Sequence, residues 1–210
     1  MLSDRKKALI GWVSRKAKND GIFLPSLRLQ KFLFFYECFS KVEGDEFSFE
    51  NLKGYRRGPV FGDVYREIKY STDTFLTSVN KSGYPVNEDR AERALFLVRI
   101  LGSDLSGFTH TLNIWKVKED EIMRGSYQLP LSVSDFSKED AAVFEDLLML
   151  YPTEYINGVN VVEVNGKAFL FPREYAFKEE YYDALYEASV DKEFCSPVYV
   201  EISEGELILE

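Results

Sequence analysis

From residue 4 to residue 151 the apolar positions recur at helical spacing, and beyond Pro152 the spacing drops to alternation. Leu9, Ile10, Trp12, Val13 and Ala17 among lysines and arginines predict an amphipathic helix over residues 4–18, ended by Asn19-Asp20-Gly21. After Pro25-Ser26, Leu29, Phe32, Leu33, Tyr36 and Phe39 form one apolar face, with Phe34 and Phe35 on a second. A helix apolar on two faces belongs in the middle of a domain. Residues 42–54 read as a polar and aromatic connection, and Gly58-Pro59 is expected to open a third helix through about Tyr70, proline being well placed at a first helical position. Glu88 to Leu101 carries the stripe Ala91, Ala94, Leu95, Val98, Leu101 and is stopped by Gly102-Ser103-Asp104. A short helical turn over 104–109 leads to His110 and a loop bearing Trp115, and Ser137-Lys138-Glu139-Asp140 caps a helix through Tyr151.

Past Pro152, residues 159–164 and 167–171 are β-prone runs joined by Asn165-Gly166, the strongest short-range hairpin signal. Residues 198–203 and 206–209 repeat the design around Glu204-Gly205, with a helix over about 178–190 between the two hairpins. The expected fold class is therefore mainly α: a compact multi-helix domain over residues 1–151 and an acidic α+β extension over 152–210 packed on it.

With 45% apolar and 15% aromatic residues in 210, the chain can build a core without staples. Cys38 and Cys195 lack the spacing of a zinc site or a disulfide framework and read as ordinary buried or half-buried thiols. No apolar run approaches the ~20 residues of a membrane span, and the first residues lead into an amphipathic helix without a secretory core, so a cytoplasmic location is expected. The net charge of -9 is unevenly placed: residues 1–70 hold 14 basic and 9 acidic side chains, residues 71–210 hold 12 and 26. The acidic part repels phosphate backbones and attracts basic partners. Nucleic-acid binding is thereby disfavoured, although Arg5, Lys6, Lys7, Arg15, Lys16 and Lys18 on the first helix keep a local basic surface as an alternative.

Catalytic inventory is thin. His110 is the single histidine, flanked by Thr109 and Thr111, with no nucleophile motif beside it, and its expected role is to pin the turn before Trp115. Glu119-Asp120-Glu121 and Glu139-Asp140 could face a hard cation but read as solvated charge, and no phosphate or dinucleotide fingerprint is present, so neither metal nor cofactor is expected. Arg56-Arg57-Gly58-Pro59 resembles an anion site, two guanidiniums before a helix N-terminus that could hold a phosphate or a partner's carboxylate. The same arginines could instead pair with Asp63 or Glu67.

Leu29-Gln30-Lys31-Phe32-Leu33 resembles the Leu-Gln-Lys helix of the Panacea (SocA-like) antitoxin domain, and Tyr55 through Val60 with Val64-Tyr65 is similar to its Tyr-Gly-Pro-Val and Val-Tyr elements. Asp104-Leu105-Ser106, Thr109-His110 and Trp115 follow in that family's order, so the resemblance spans roughly residues 5–151. Arg57 lengthens the tyrosine-to-glycine spacing, Asn113-Ile114 stands where a proline is usual before Trp115, and residues 152–210 have no counterpart. The resemblance implies a non-enzymatic prokaryotic or phage-associated protein that neutralises a toxin by direct contact or delivers it to a protease. A phage accessory protein inhibiting a host factor is a variation of the same reading. Tyr55, Arg56 and Arg57 are then the candidate partner contacts. Leu29, Gln30, Lys31, Leu33, Gly58, Pro59, Val60, Tyr65, Thr109, His110 and Trp115 are the motif residues that would support them.

Overall fold

The computed structural model describes residues 2–70, 79, 83–126, 128–175, 177–203 and 206–210, which leaves the Glu204-Gly205 turn outside the described residues. Helix α1 (Asp4–Asn19) starts where Ser3 accepts the backbone N–H of Lys6, and α2 (Ser26–Val42) follows. Every residue of α2 from Leu29 through Ser40 is buried, as its two apolar faces require. Phe34, Phe35 and Phe39 surround Phe144, the Phe39 ring meeting it edge-on at 5.2 Å.

Among the described residues the buried cations Arg5, Lys6 and Arg90 enter this core with carboxylate partners, because an unpaired buried ion is costly. Arg5 donates to Glu37 (2.8 and 3.0 Å), Ser40 and the Glu46 carbonyl, and Lys6 donates to Asp63 (2.7 Å) and the Glu50 carbonyl. These bonds fasten α1 to α2 and to the segment beyond it.

Leu52–Tyr55 and Gly58–Phe61 are strands, β1 and β2, not a connection and a helix start, and helix α3 begins only at Gly62 and runs to Tyr70. With β3 (Leu129–Pro130) they form an antiparallel sheet in the order β2-β1-β3. Pro59 faces Gly54 on β2, an edge strand, where a missing N–H is tolerated.

Helix α4 (Glu88–Leu101), capped by Asn87, lies against α2. Short helices α5 (Leu105–Thr111), α6 (Asn113–Lys116) and α7 (Glu119–Met123) follow, so Trp115 sits on a helix rather than a loop. Helix α8 (Lys138–Leu150) has the expected Ser137–Asp140 capping box. Asp140, 2% exposed, also accepts the backbone N–H groups of Asn113 (2.6 Å) and Ile114 (2.9 Å), so one carboxylate caps two helices. A proline at either position would remove one of those donors.

Helix α9 (Thr153–Gly158) leads into β4 (Val159–Val164) and β5 (Lys167–Pro172), then α10 (Tyr182–Val190), β6 (Val198–Ser203) and β7 (Glu206–Leu209). The two hairpins are one sheet, β4-β5-β6-β7, closed by a parallel β5–β6 pair. Its alternating residues divide between two cores. Val161, Ala168 and Leu170 join the helical core, while Val164, Phe169, Phe171, Val198 and Val200 cluster with Tyr181 and Leu185. Arg99 donates to the Val161 carbonyl (2.6 Å), Ser103 N–H to Gly166 (2.9 Å) and Ser196 to Ile100 (2.7 Å). Among the described residues the architecture is a mixed α+β fold with two sheets, which overturns the expected mainly α class. The N-terminal strands escaped the sequence because they are four residues long and carry glycine and proline.

Candidate functional site

Arg56 and Arg57 form the two-residue turn between β1 and β2, closed by Tyr55 opposite Gly58. Gly58 sits at φ +96°, open to glycine, and a methyl group there would overlap Lys31 Nζ and Thr109 Oγ1. The turn therefore lies directly on side chains from two distant segments.

Those segments are the remaining motifs. From α2, Gln30 Oε1 accepts the Phe61 N–H (2.8 Å) and its amide nitrogen donates to the Phe61 carbonyl (3.4 Å), completing the outer edge of β2. Lys31, 0% exposed, donates to the Pro59 carbonyl (3.4 Å), and Leu29 and Leu33 fix the helix in the core. From α5 and α6, Trp115 Nε1 donates to the Tyr55 carbonyl (2.9 Å), and Thr109 returns its hydroxyl to Leu105 and Ser106. His110 stacks on Trp115 at 3.8 Å and 13°, with its Nε2 buried and unpartnered. Thus Leu29–Leu33, Tyr55–Val60 and Thr109–Trp115 converge on one hairpin turn and hold it from inside.

The electrostatics inside the support are unusual. Burial brings the Lys31 amine down to about 7, and among the described residues no carboxylate pairs with it. Burial and the nearby Lys31 also lower His110, against Glu119 and a backbone hydrogen bond with Arg56. An imidazole stacked on an indole in this way braces the turn from its inner side.

The outer side of the turn is different in kind. A cleft of about 240 Å³ opens there, with buried Gln30 and Val60 and half-buried Leu27 below, Tyr55 and Tyr65 as aromatic walls, and exposed Arg56 and Arg57 at the turn. The Tyr55 and Tyr65 rings lie 5.9 Å apart; burial raises the Tyr55 hydroxyl, reinforced by Tyr65 and opposed by Arg66. Lys69 lies over both Tyr65 (5.9 Å) and Tyr70 (5.2 Å), extending the aromatic and basic surface along α3.

The sequence reading placed Tyr55, Arg56 and Arg57 together, but as the mouth of a helix. They stand on a hairpin turn, so the helix-dipole argument for an anion site falls. Nor do the arginines pair with local acids: Asp63 is bound inward by Lys6 and Asn51, and among the described residues neither Arg56 nor Arg57 has an ion-pair partner. Tyr65, read as a supporting residue, is a cleft wall. Leu27, Arg66, Lys69 and Tyr70 were missed, although Tyr65, Arg66, Lys69 and Tyr70 share one helical face by their spacing.

Other candidates are dispersed. Arg5, Lys6, Lys7 and Lys16 of the basic first helix are in ion pairs with Glu37, Asp63, Asp4 and both Asp20 and Glu92. Asp140 is committed to helix caps, and among the described residues no three His, Cys, Asp or Glu side chains are grouped to hold a metal ion. Cys38 is buried in α2, which pushes its thiol up, whereas Cys195 is exposed rather than half-buried. Among the described residues no helix is long and apolar enough to cross a membrane. No family model, curated protein or solved structure matches this chain.

Proposed function

We propose that this chain is a binding protein that neutralises a toxin or other client protein by stoichiometric contact, or presents it to a protease. The observation that carries the reading is the division of the Tyr55–Gly58 turn into two sides. Lys31, Gln30, Thr109, His110 and Trp115 fix its inner side, and its outer side offers two unpaired arginines beside an aromatic cleft. Aromatic and arginine side chains on a rigid support are the groups that dominate interface energy, and a support already ordered loses little entropy on binding. The basic first helix, whose charges are largely paired internally, gives little support to a nucleic-acid reading.

The test is co-expression of the chain with the product of the adjacent open reading frame. Wild-type chain should relieve that product's toxicity and co-purify with it in a fixed ratio, and Arg56→Glu with Arg57→Glu should abolish both while leaving the melting temperature unchanged. Relief that persists in the double variant would refute this site. Relief that instead disappears with His110→Ala in a variant that still binds would point to turnover.

A further inference from the structure

On the reading that the cleft beside Arg56 and Arg57 receives a client, we propose that the part of the client it takes is an acidic segment bearing one large apolar side chain, the side chain seated against the paired Tyr55 and Tyr65 rings and flanking carboxylates on the two arginines. Charge is the first argument. In a chain with 35 acidic residues, Arg56, Arg57, Arg66 and Lys69 gather on one face, and among the described residues none of the four has an ion-pair partner. Asp63, two residues from Tyr65, is turned inward onto Lys6. Unpaired guanidiniums present forked donors that match carboxylates two bonds at a time.

Size and lining supply the second argument. At about 240 Å³ the cleft is smaller than the roughly 300–1,000 Å³ of sites that enclose whole small molecules. It fits a single side chain. Its walls are the Tyr55 and Tyr65 rings, Val60 and Leu27, all apolar surface, so the anchor is apolar and the charge lies at the rim. The acidic remainder of the protein then acts against nonspecific acids: a segment must bring its carboxylates to this face alone, which gives selection by local rather than net charge.

The probe is a short fluorescein-labelled peptide with a central leucine or phenylalanine flanked by aspartates and glutamates, titrated with the full chain in an anisotropy assay. Three controls accompany it: the peptide with lysines for the acids, the peptide with alanine for the anchor, and an oligothymidylate. The acidic anchored peptide should bind at least about tenfold tighter than each control, and Arg56→Glu with Arg57→Glu should weaken it by at least about tenfold. Tighter binding by the lysine peptide or the oligothymidylate, equal binding by the alanine peptide, no binding by any peptide, or indifference to the arginine reversals would each overturn the proposal. Failure here is separable from failure of the client-binding reading. If the arginine reversals still abolish toxin relief while the acidic peptide does not bind, the cleft binds a client of other chemistry; if relief also persists, both fall.

Discussion

Replacing Lys31 with methionine should stabilise this protein at neutral pH, and the gain should shrink as pH rises. Among the described residues the other buried cations have carboxylate partners, Arg5 with Glu37, Lys6 with Asp63, Arg90 with Glu43 and Asp45; Lys31 has only the Pro59 carbonyl at 3.4 Å. Its amine titrates at about 7 in the folded protein against 10.5 when exposed. Between those values the unfolded chain holds a proton that the folded one lacks, so stability contributed by this position rises with pH across that window, and below about 7 the full penalty is present. The gap corresponds to about 5 kcal/mol, from which the lost contact to Pro59 removes about 1 kcal/mol. Urea unfolding of both proteins, followed by tryptophan fluorescence at about pH 6, 7.5 and 9, gives the difference directly. The advantage of the methionine variant should fall by roughly 2–3 kcal/mol from the lowest pH to the highest. Groups that titrate identically in both proteins cancel. A difference that stays constant across the range would refute the reasoning, because it would mean that Lys31 carries its proton equally well folded and unfolded.

Asp140→Ala should cost about 2–4 kcal/mol by denaturant unfolding, since α6 and α8 lose a cap together, and Asp140→Asn should cost less; a loss below about 0.5 kcal/mol would show that the shared cap is dispensable. Gly58→Ala should cost at least about 2 kcal/mol, combining a positive φ with overlap on Lys31 and Thr109, and a variant as stable as wild type would show that the turn can lift away from its support.

The three motifs owe their separation in sequence to a shared structural task. Gln30 and Lys31 satisfy the backbone of β2, Trp115 satisfies that of β1, and Gly58 permits their close approach. At Gln30 and Trp115, whose bonds to backbone groups are 2.8 and 2.9 Å, each loss leaves a buried partner unsatisfied, whereas Lys31, held only by the Pro59 carbonyl at 3.4 Å, is the exception. The segments around Gln30 and Trp115 thus act as scaffold, while Arg56 and Arg57 make no ion pair among the described residues.

Local physics made much of this chain legible. The two apolar faces of α2 placed it at the centre, Ser137 and Asp140 marked the start of α8, and Asn165-Gly166 fixed the β4–β5 hairpin, because periodicity, caps and turns are decided within a few residues. The sequence likewise brought Tyr55, Arg56 and Arg57 forward as a candidate surface. Their setting was decided by distant contacts. Pro59 suits a helix start as well as an edge strand, and what makes it a strand is pairing with Gly54, completion of the neighbouring edge by Gln30, and a third strand at Leu129–Pro130. The same holds for Asp140, whose role at α6 depends on a contact across 27 positions, and for the parallel β5–β6 pair that merges two hairpins into one sheet. Pairings of this kind gain their free energy only after the chain has closed a long loop, so no local pattern records them.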